Sequence, residues 1–170
     1  MSGYTSKIAG TEEGVIEPEA TFSACFGAPF MPLHPTIYAH MLEEKIKKEN
    51  ANVWLINTGW SGGGYGLGKR IQLKYTRAMI SAVMNNALEH STYLEHDVFG
   101  LSMLASCPGV PEKILNPINT WSNKLDYIEA AEKLANLFHE NFQNIAKFLG
   151  SNLMRSNNSE DILKGGPNKN

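Results

Sequence analysis

The run TGWSGGGYGLGKR, residues 58–70, constrains this chain more than any other stretch. Gly62, Gly63, Gly64, Gly66 and Gly68 remove the side chains by which a helix or strand packs. The backbone must therefore turn there, and it can come close to whatever it faces. The run follows Val53, Trp54, Leu55 and Ile56, a short apolar stretch bounded by Asn52 and Asn57 with no room for a helix. That pattern predicts a buried strand. A strand entering a glycine loop through Asn57, Thr58 and Ser61 makes the loop a candidate nucleotide site.

The spacing does not name the nucleotide-binding motif. Residues 63–69 match GxxxxGK, but a phosphate loop of that kind needs Ser or Thr after the Lys to hold magnesium, and a helix whose first amides meet the phosphates. Arg70 stands in that position, and the following RIQLK predicts an extended piece. No register satisfies GxGxxG, so a dinucleotide fingerprint is excluded. Arg70 is the informative residue, because a planar guanidinium lies against an aromatic base while still donating hydrogen bonds. Ile71 offers apolar contact and Thr76 a hydroxyl, and together the three suit a purine. Taken singly, each has a plainer reading: Arg70 a surface charge, Ile71 a core residue, Thr76 the cap of the next helix.

Around the loop the chain alternates helical and extended signals. Residues 1–35 mix Gly, Thr, Glu and Pro without periodicity and predict a long irregular region. Pro35 fits the first turn of a helix in which Ile37, Met41, Leu42 and Ile46 recur at helical spacing until Asn50. After RIQLK, an amphipathic helix is predicted with Met79, Ile80, Val83, Met84, Ala87 and Leu88 on its apolar face. Prolines and Gly109 break residues 95–119 into turns with one edge strand. A last helix carries Ile128, Ala131, Leu134, Leu137, Phe138, Phe142, Ile145 and Phe148 on one face, with Asp126 and Glu129 spaced as a capping box. Residues 151–170 form a polar tail.

Composition excludes several partners. Lys and Arg total 15 against 17 Asp and Glu, interspersed, so no basic stripe exists to neutralise a phosphate backbone or an anionic membrane. No apolar run approaches a membrane span, and MSGYTSKIAG lacks the apolar core of a signal peptide, so a cytoplasmic chain is expected. Cys25 and Cys107 have neither CxxC spacing nor neighbouring histidines, and buried thiols are expected rather than a disulfide or a metal site. His34, His40, His90, His96 and His139 show no ligand spacing and are expected to be structural or surface residues.

The runs GYTSKIAGTEEGVIEPEATFSACFGAPF, LHPT, NTGWSGGGYGLGKRIQLKYTRAMI and CPGVPEKILNP together resemble the C-terminal part of the ATP-dependent phosphoenolpyruvate carboxykinases, over roughly residues 2–150. NTGWSGG with GKRI and LKYTRA is specific to the ATP-using rather than the GTP-using enzymes. The resemblance implies an α/β fold, the C-terminal part of a mononucleotide-binding domain with a mixed sheet and flanking helices. It implies decarboxylation of oxaloacetate and phosphorylation from ATP, giving phosphoenolpyruvate, carbon dioxide and ADP in gluconeogenesis, with Mg2+ and Mn2+ as metals. The family's adenine contacts fall on Arg70, Ile71 and Thr76, and residues 2–22 resemble its active-site lid. Its phosphate loop, metal ligands and oxaloacetate-gripping arginines lie upstream of the matching segment. No catalytic or metal residue is therefore expected in this chain, and no activity from it alone.

Two features depart from the family. Ile118 stands where NPRNTW has Arg, and His96 with residues 102–106 reads less like the family. Met1 falls within what resembles a continuous family segment, which points to a truncated chain, an internal start or an incomplete gene model. The expected partners are ATP, oxaloacetate or phosphoenolpyruvate, and either the N-terminal portion or a homo-oligomer. An alternative is a non-catalytic nucleotide-binding or scaffold module that complements a separate N-terminal chain.

Overall fold

The computed structural model describes residues 2–7, 13, 19–24, 27–57, 59–64 and 66–147. The chain divides into two units, Met1–Trp54 and Leu55–Asn170. The first opens with a β-hairpin in which β1 (Ser2–Lys7) pairs antiparallel with β2 (Glu19–Ala24), Ser2 opposite Ala24 and Lys7 opposite Glu19. This corrects the expectation of an irregular region. The ladder joins segments more than ten positions apart, and such pairing leaves little trace in local periodicity.

A short 3-10 turn at Ala28–Phe30 leads to α1 (Pro35–Glu49). Pro35 occupies the first turn, where its missing N–H costs nothing, and His34 Nδ1 accepts the Thr36 N–H at 3.4 Å. Asn50 ends the helix in the left-handed conformation at φ 48°, a C-terminal role that Asn tolerates. The apolar spacing is as expected, but no α1 residue is buried.

Residues 53–56 do not form the buried strand expected of them. They are irregular, with Val53 66% and Leu55 80% exposed. A buried strand needs ladder partners for its peptide groups, and none of the strand pairings among the described residues includes this run.

The second unit begins with β3 (Trp60–Ser61) and β4 (Lys69–Arg70), antiparallel, with the glycine run as their loop. The extended stretch ends earlier than expected. Helix α2 (Leu73–Met84) already includes Leu73 and Lys74, good helix formers, behind an extended Gln72 cap. Thr76 therefore sits inside the helix rather than capping it. Of the expected apolar face, Leu88 lies beyond the helix and is buried, whereas Met84 is 76% exposed.

β5 (Tyr93–Glu95) and β6 (Ser102–Leu104) form a third antiparallel pair. After α3 (Glu112–Leu115) and a 3-10 turn (Pro117–Thr120) comes α4 (Lys124–Lys147). The α4 cap lies earlier than the expected Asp126–Glu129 box. Asn123 Oδ1 accepts the Leu125 N–H at 3.0 Å while Asn123 Nδ2 donates to Asp126 Oδ1 at 2.6 Å. The fold is α/β, with small antiparallel sheets flanked by helices. Its core cluster is Val98, Ala131 and Ala135, with Phe99 and Tyr127 packed against it. Among the described residues no helix is long and apolar enough to cross a membrane. Cys25, Phe148 and the polar tail expected over 151–170 lie outside the described residues.

Candidate functional site

The glycine run folds as a closed hairpin loop. Trp60 stands opposite Arg70 and Ser61 opposite Lys69, and the Ile71 N–H donates to the Gly59 carbonyl at 3.0 Å, extending the pairing by one bond. Within the loop the Gly68 N–H donates to the Gly64 carbonyl at 2.9 Å. Two glycines are required sterically. Gly62 has φ 84°, and a Cβ there would lie 2.9 Å from the Thr120 carbonyl oxygen; at Gly68 a Cβ would strike the Gly63 carbonyl. These close approaches are to the protein's own backbone. Gly64, exposed and with nothing within 4 Å of its Cβ position, faces open space.

The hairpin sets the three expected contact residues along one short stretch. Arg70 is exposed at the end of β4, Ile71 is half-buried directly after it, and Thr76 is the fourth residue of α2, only 7% exposed. The directly opposed Trp60 is 49% exposed, and opposed residues on an antiparallel pair share a face. A planar aromatic and a planar cation thus occupy one face of the hairpin, a pairing not anticipated from the sequence because the register was unknown. Lys69, Lys74 and Arg77 are also exposed, and no acidic residue occurs between Asn50 and Leu88. The charges on this stretch are all positive, although the whole chain carries a net charge of -2.

A hydroxyl pair ties this hairpin to distant sequence. Ser61 Oγ donates to Thr120 Oγ1 at 2.9 Å, and Thr120 Oγ1 donates to the Pro117 carbonyl at 2.6 Å. Ile118, the residue that departs from the NPRNTW pattern, is half-buried in the same turn.

A second polar cluster lies at the core. His96, 9% exposed, accepts the Val98 and Phe99 N–H groups on Nδ1 at 3.2 and 3.3 Å, and its Nε2 lies 2.6 Å from the Tyr127 hydroxyl. Because Nδ1 accepts two donors, the ring proton sits on Nε2 and is given to Tyr127. Burial holds the His96 pKa below 6.5, opposed by the charge of Asp97. Burial, and then Asp97, raises that of Tyr127. His96 is thus a structural histidine. Cys107 is free and buried, and burial raises its thiol pKa, which makes it a poor nucleophile.

Comparison with known proteins agrees with the hairpin's sequence pattern. The family model for phosphoenolpyruvate carboxykinase of the ATP-using type matches residues 1–113. The phosphoenolpyruvate carboxykinase (ATP) of Fusobacterium nucleatum is 59% identical over 143 residues, 84% of this chain and 27% of that protein. That of Christiangramia forsetii is 53% identical over 167 residues, 98% of this chain and 30% of its own length. That of Thermus thermophilus is 55% identical over 146 residues, covering 86% and 28%. The chain thus spans less than a third of the length of these relatives.

Proposed function

The chain belongs to the ATP-dependent phosphoenolpyruvate carboxykinase family, and from that premise we propose that it supplies the adenine side of the nucleotide site in an enzyme converting oxaloacetate and ATP to phosphoenolpyruvate, carbon dioxide and ADP. The observation that carries this reading is the hairpin register, which presents Arg70 beside Trp60 and leads directly through Ile71 into α2. The Arg70 guanidinium covers the purine face, Ile71 supplies apolar contact, and Thr76 contributes from the first turns of the helix. Thr76, being buried, meets the base with a small part of its surface. Lys69, Lys74 and Arg77, exposed and near these residues in sequence, add positive charge that suits an anionic nucleotide.

Phosphoryl transfer rests on positioning and charge stabilisation by a phosphate loop and divalent metals. Among the described residues no three His, Cys, Asp or Glu side chains gather as a metal-binding group. In this reading Mg2+ and Mn2+, the phosphate loop and the oxaloacetate contacts belong to parts of the enzyme outside this chain. In the same reading residues 2–22, of which 8–12 and 14–18 lie outside the described residues, correspond to the family's lid, and the setting is cytoplasmic. The partner is the N-terminal portion or a second copy.

Calorimetric titration of ATP and of inorganic triphosphate into this segment in its full-length context tests the adenine role. Arg70→Ala weakens ATP binding by about 1–2 kcal/mol, roughly five- to thirty-fold, and leaves triphosphate nearly unchanged. Arg70→Lys recovers little, since an ammonium keeps the charge without the planar face. Equal losses for both ligands would reject the adenine role in favour of a phosphate contact.

A further inference from the structure

We propose that Ser61 and Thr120 form a hydroxyl anchor that sets the position of the hairpin carrying Arg70 and Ile71, which makes both of them positioning residues for the nucleotide site; this rests on the adenine reading above. The β3–β4 ladder has only two residue pairs, and an isolated two-stranded hairpin is marginal in water. Something beyond the ladder must hold it. The turn at Pro117–Thr120 does so at two points. Ser61 Oγ donates to Thr120 Oγ1 at 2.9 Å, across 59 positions of sequence. Next to it Gly62, at φ 84°, comes so close to the Thr120 carbonyl that no side chain fits between them.

The proton order is determined by chemistry. The Pro117 carbonyl only accepts, so the single Thr120 hydroxyl proton goes to it at 2.6 Å. The Ser61–Thr120 bond must then use the Ser61 proton. Ser61, although it stands in a glycine loop of nucleotide-binding type, has no proton left for a ligand. It serves by holding the loop. The turn itself contacts both α3 and α4, so the anchor fastens the hairpin to the helical part of its unit. Ser61 is the neighbour of Trp60, and the pair opposite is Lys69 with Arg70. A shift at the anchor therefore displaces the aromatic–guanidinium face directly, and small misplacements of binding groups lose much of their effect.

The test compares Ser61→Ala, Thr120→Ser and Thr120→Val in the 170-residue chain. Ser61→Ala preserves the Thr120–Pro117 bond and so leaves the turn intact. Two readouts apply: hydrogen exchange at the Ile71 amide, which reports hairpin order, and ATP affinity from NMR titration. Ser61→Ala and Thr120→Val should speed Ile71 exchange and weaken ATP binding about three- to tenfold, while Thr120→Ser retains both. The affinity loss should shrink in an Arg70→Ala background, because the anchor acts through Arg70. Unchanged Ile71 exchange in Ser61→Ala overturns the anchor. Faster exchange with an ATP loss of the same size in both backgrounds overturns the positioning role and leaves a merely structural bond. If Arg70→Ala alone leaves ATP affinity intact, the adenine reading fails and takes the positioning role with it, whereas the exchange result still judges the anchor separately.

Discussion

His96 shows how a single buried ring answers to pH. Its Nδ1 accepts two backbone N–H groups, as an Asn or Asp side chain does in an Asx-turn. Protonation would place a third N–H against them. The groups facing the ring are Asp97 beside it and Tyr127 on α4. With its folded pKa held below 6.5, His96 binds protons less readily in the folded than in the unfolded state. Its contribution to stability is therefore complete above pH 6.5 and is lost as pH falls towards the folded value. Denaturant unfolding at stepped pH should show a decline below pH 6.5 that flattens in His96→Asn, whose amide oxygen accepts the same bonds without titrating. A decline of equal steepness in both proteins would assign it to other groups. The sequence marked His96 as a departure from the family pattern and, with the other histidines, as a structural or surface residue. Its role stayed hidden because both the loop closing on Nδ1 and the Tyr127 hydroxyl 31 positions away are products of folding.

Among the elements, the glycine hairpin separates two costs that sequence alone leaves merged. Gly62 and Gly66 share φ 84°, but a Cβ at Gly62 meets the Thr120 carbonyl at 2.9 Å whereas one at Gly66 meets nothing within 4 Å. Alanine at either position bears the left-handed backbone penalty of about 1–2 kcal/mol; at Gly62 it must also push the loop off the Pro117–Thr120 turn. Gly62→Ala should therefore lower the thermal midpoint clearly more than Gly66→Ala, and equal midpoints would show that the loop yields freely. The presence of a turn was legible in the sequence, since glycines cluster. Which glycine faces a wall was not. Helix α1 was legible nearly to the residue, because Pro35 and Asn50 act within one turn of its ends. The early start of α2 was not, because Gln72 caps it by backbone conformation without a side-chain bond.

On the scale of the whole molecule, the described residues bury little large apolar surface. Among the described residues the buried apolar side chains are Ala82, Leu88, Val98, Cys107, Val110, Ala131 and Ala135, mostly small, while Val53, Leu55, Leu73, Met84 and Leu125 are exposed. Such surface favours association. Sedimentation velocity over a concentration series should show the chain moving to larger species, whereas a single monomer boundary at every concentration would count against this. The family and the α/β class were readable from the sequence by itself, because its motifs lie within one loop or a few turns. Arg70, Ile71 and Thr76 stood out as candidates only through the family resemblance, since taken singly each had a plainer reading. Only the tertiary structure decided that residues 2–7 and 19–24 pair, that residues 53–56 join none of the described strand pairs, and that Ser61 reaches Thr120. Each of these depends on a partner distant along the chain, and hydrogen bonds between distant backbone or hydroxyl groups place no periodic demand on the residues that make them.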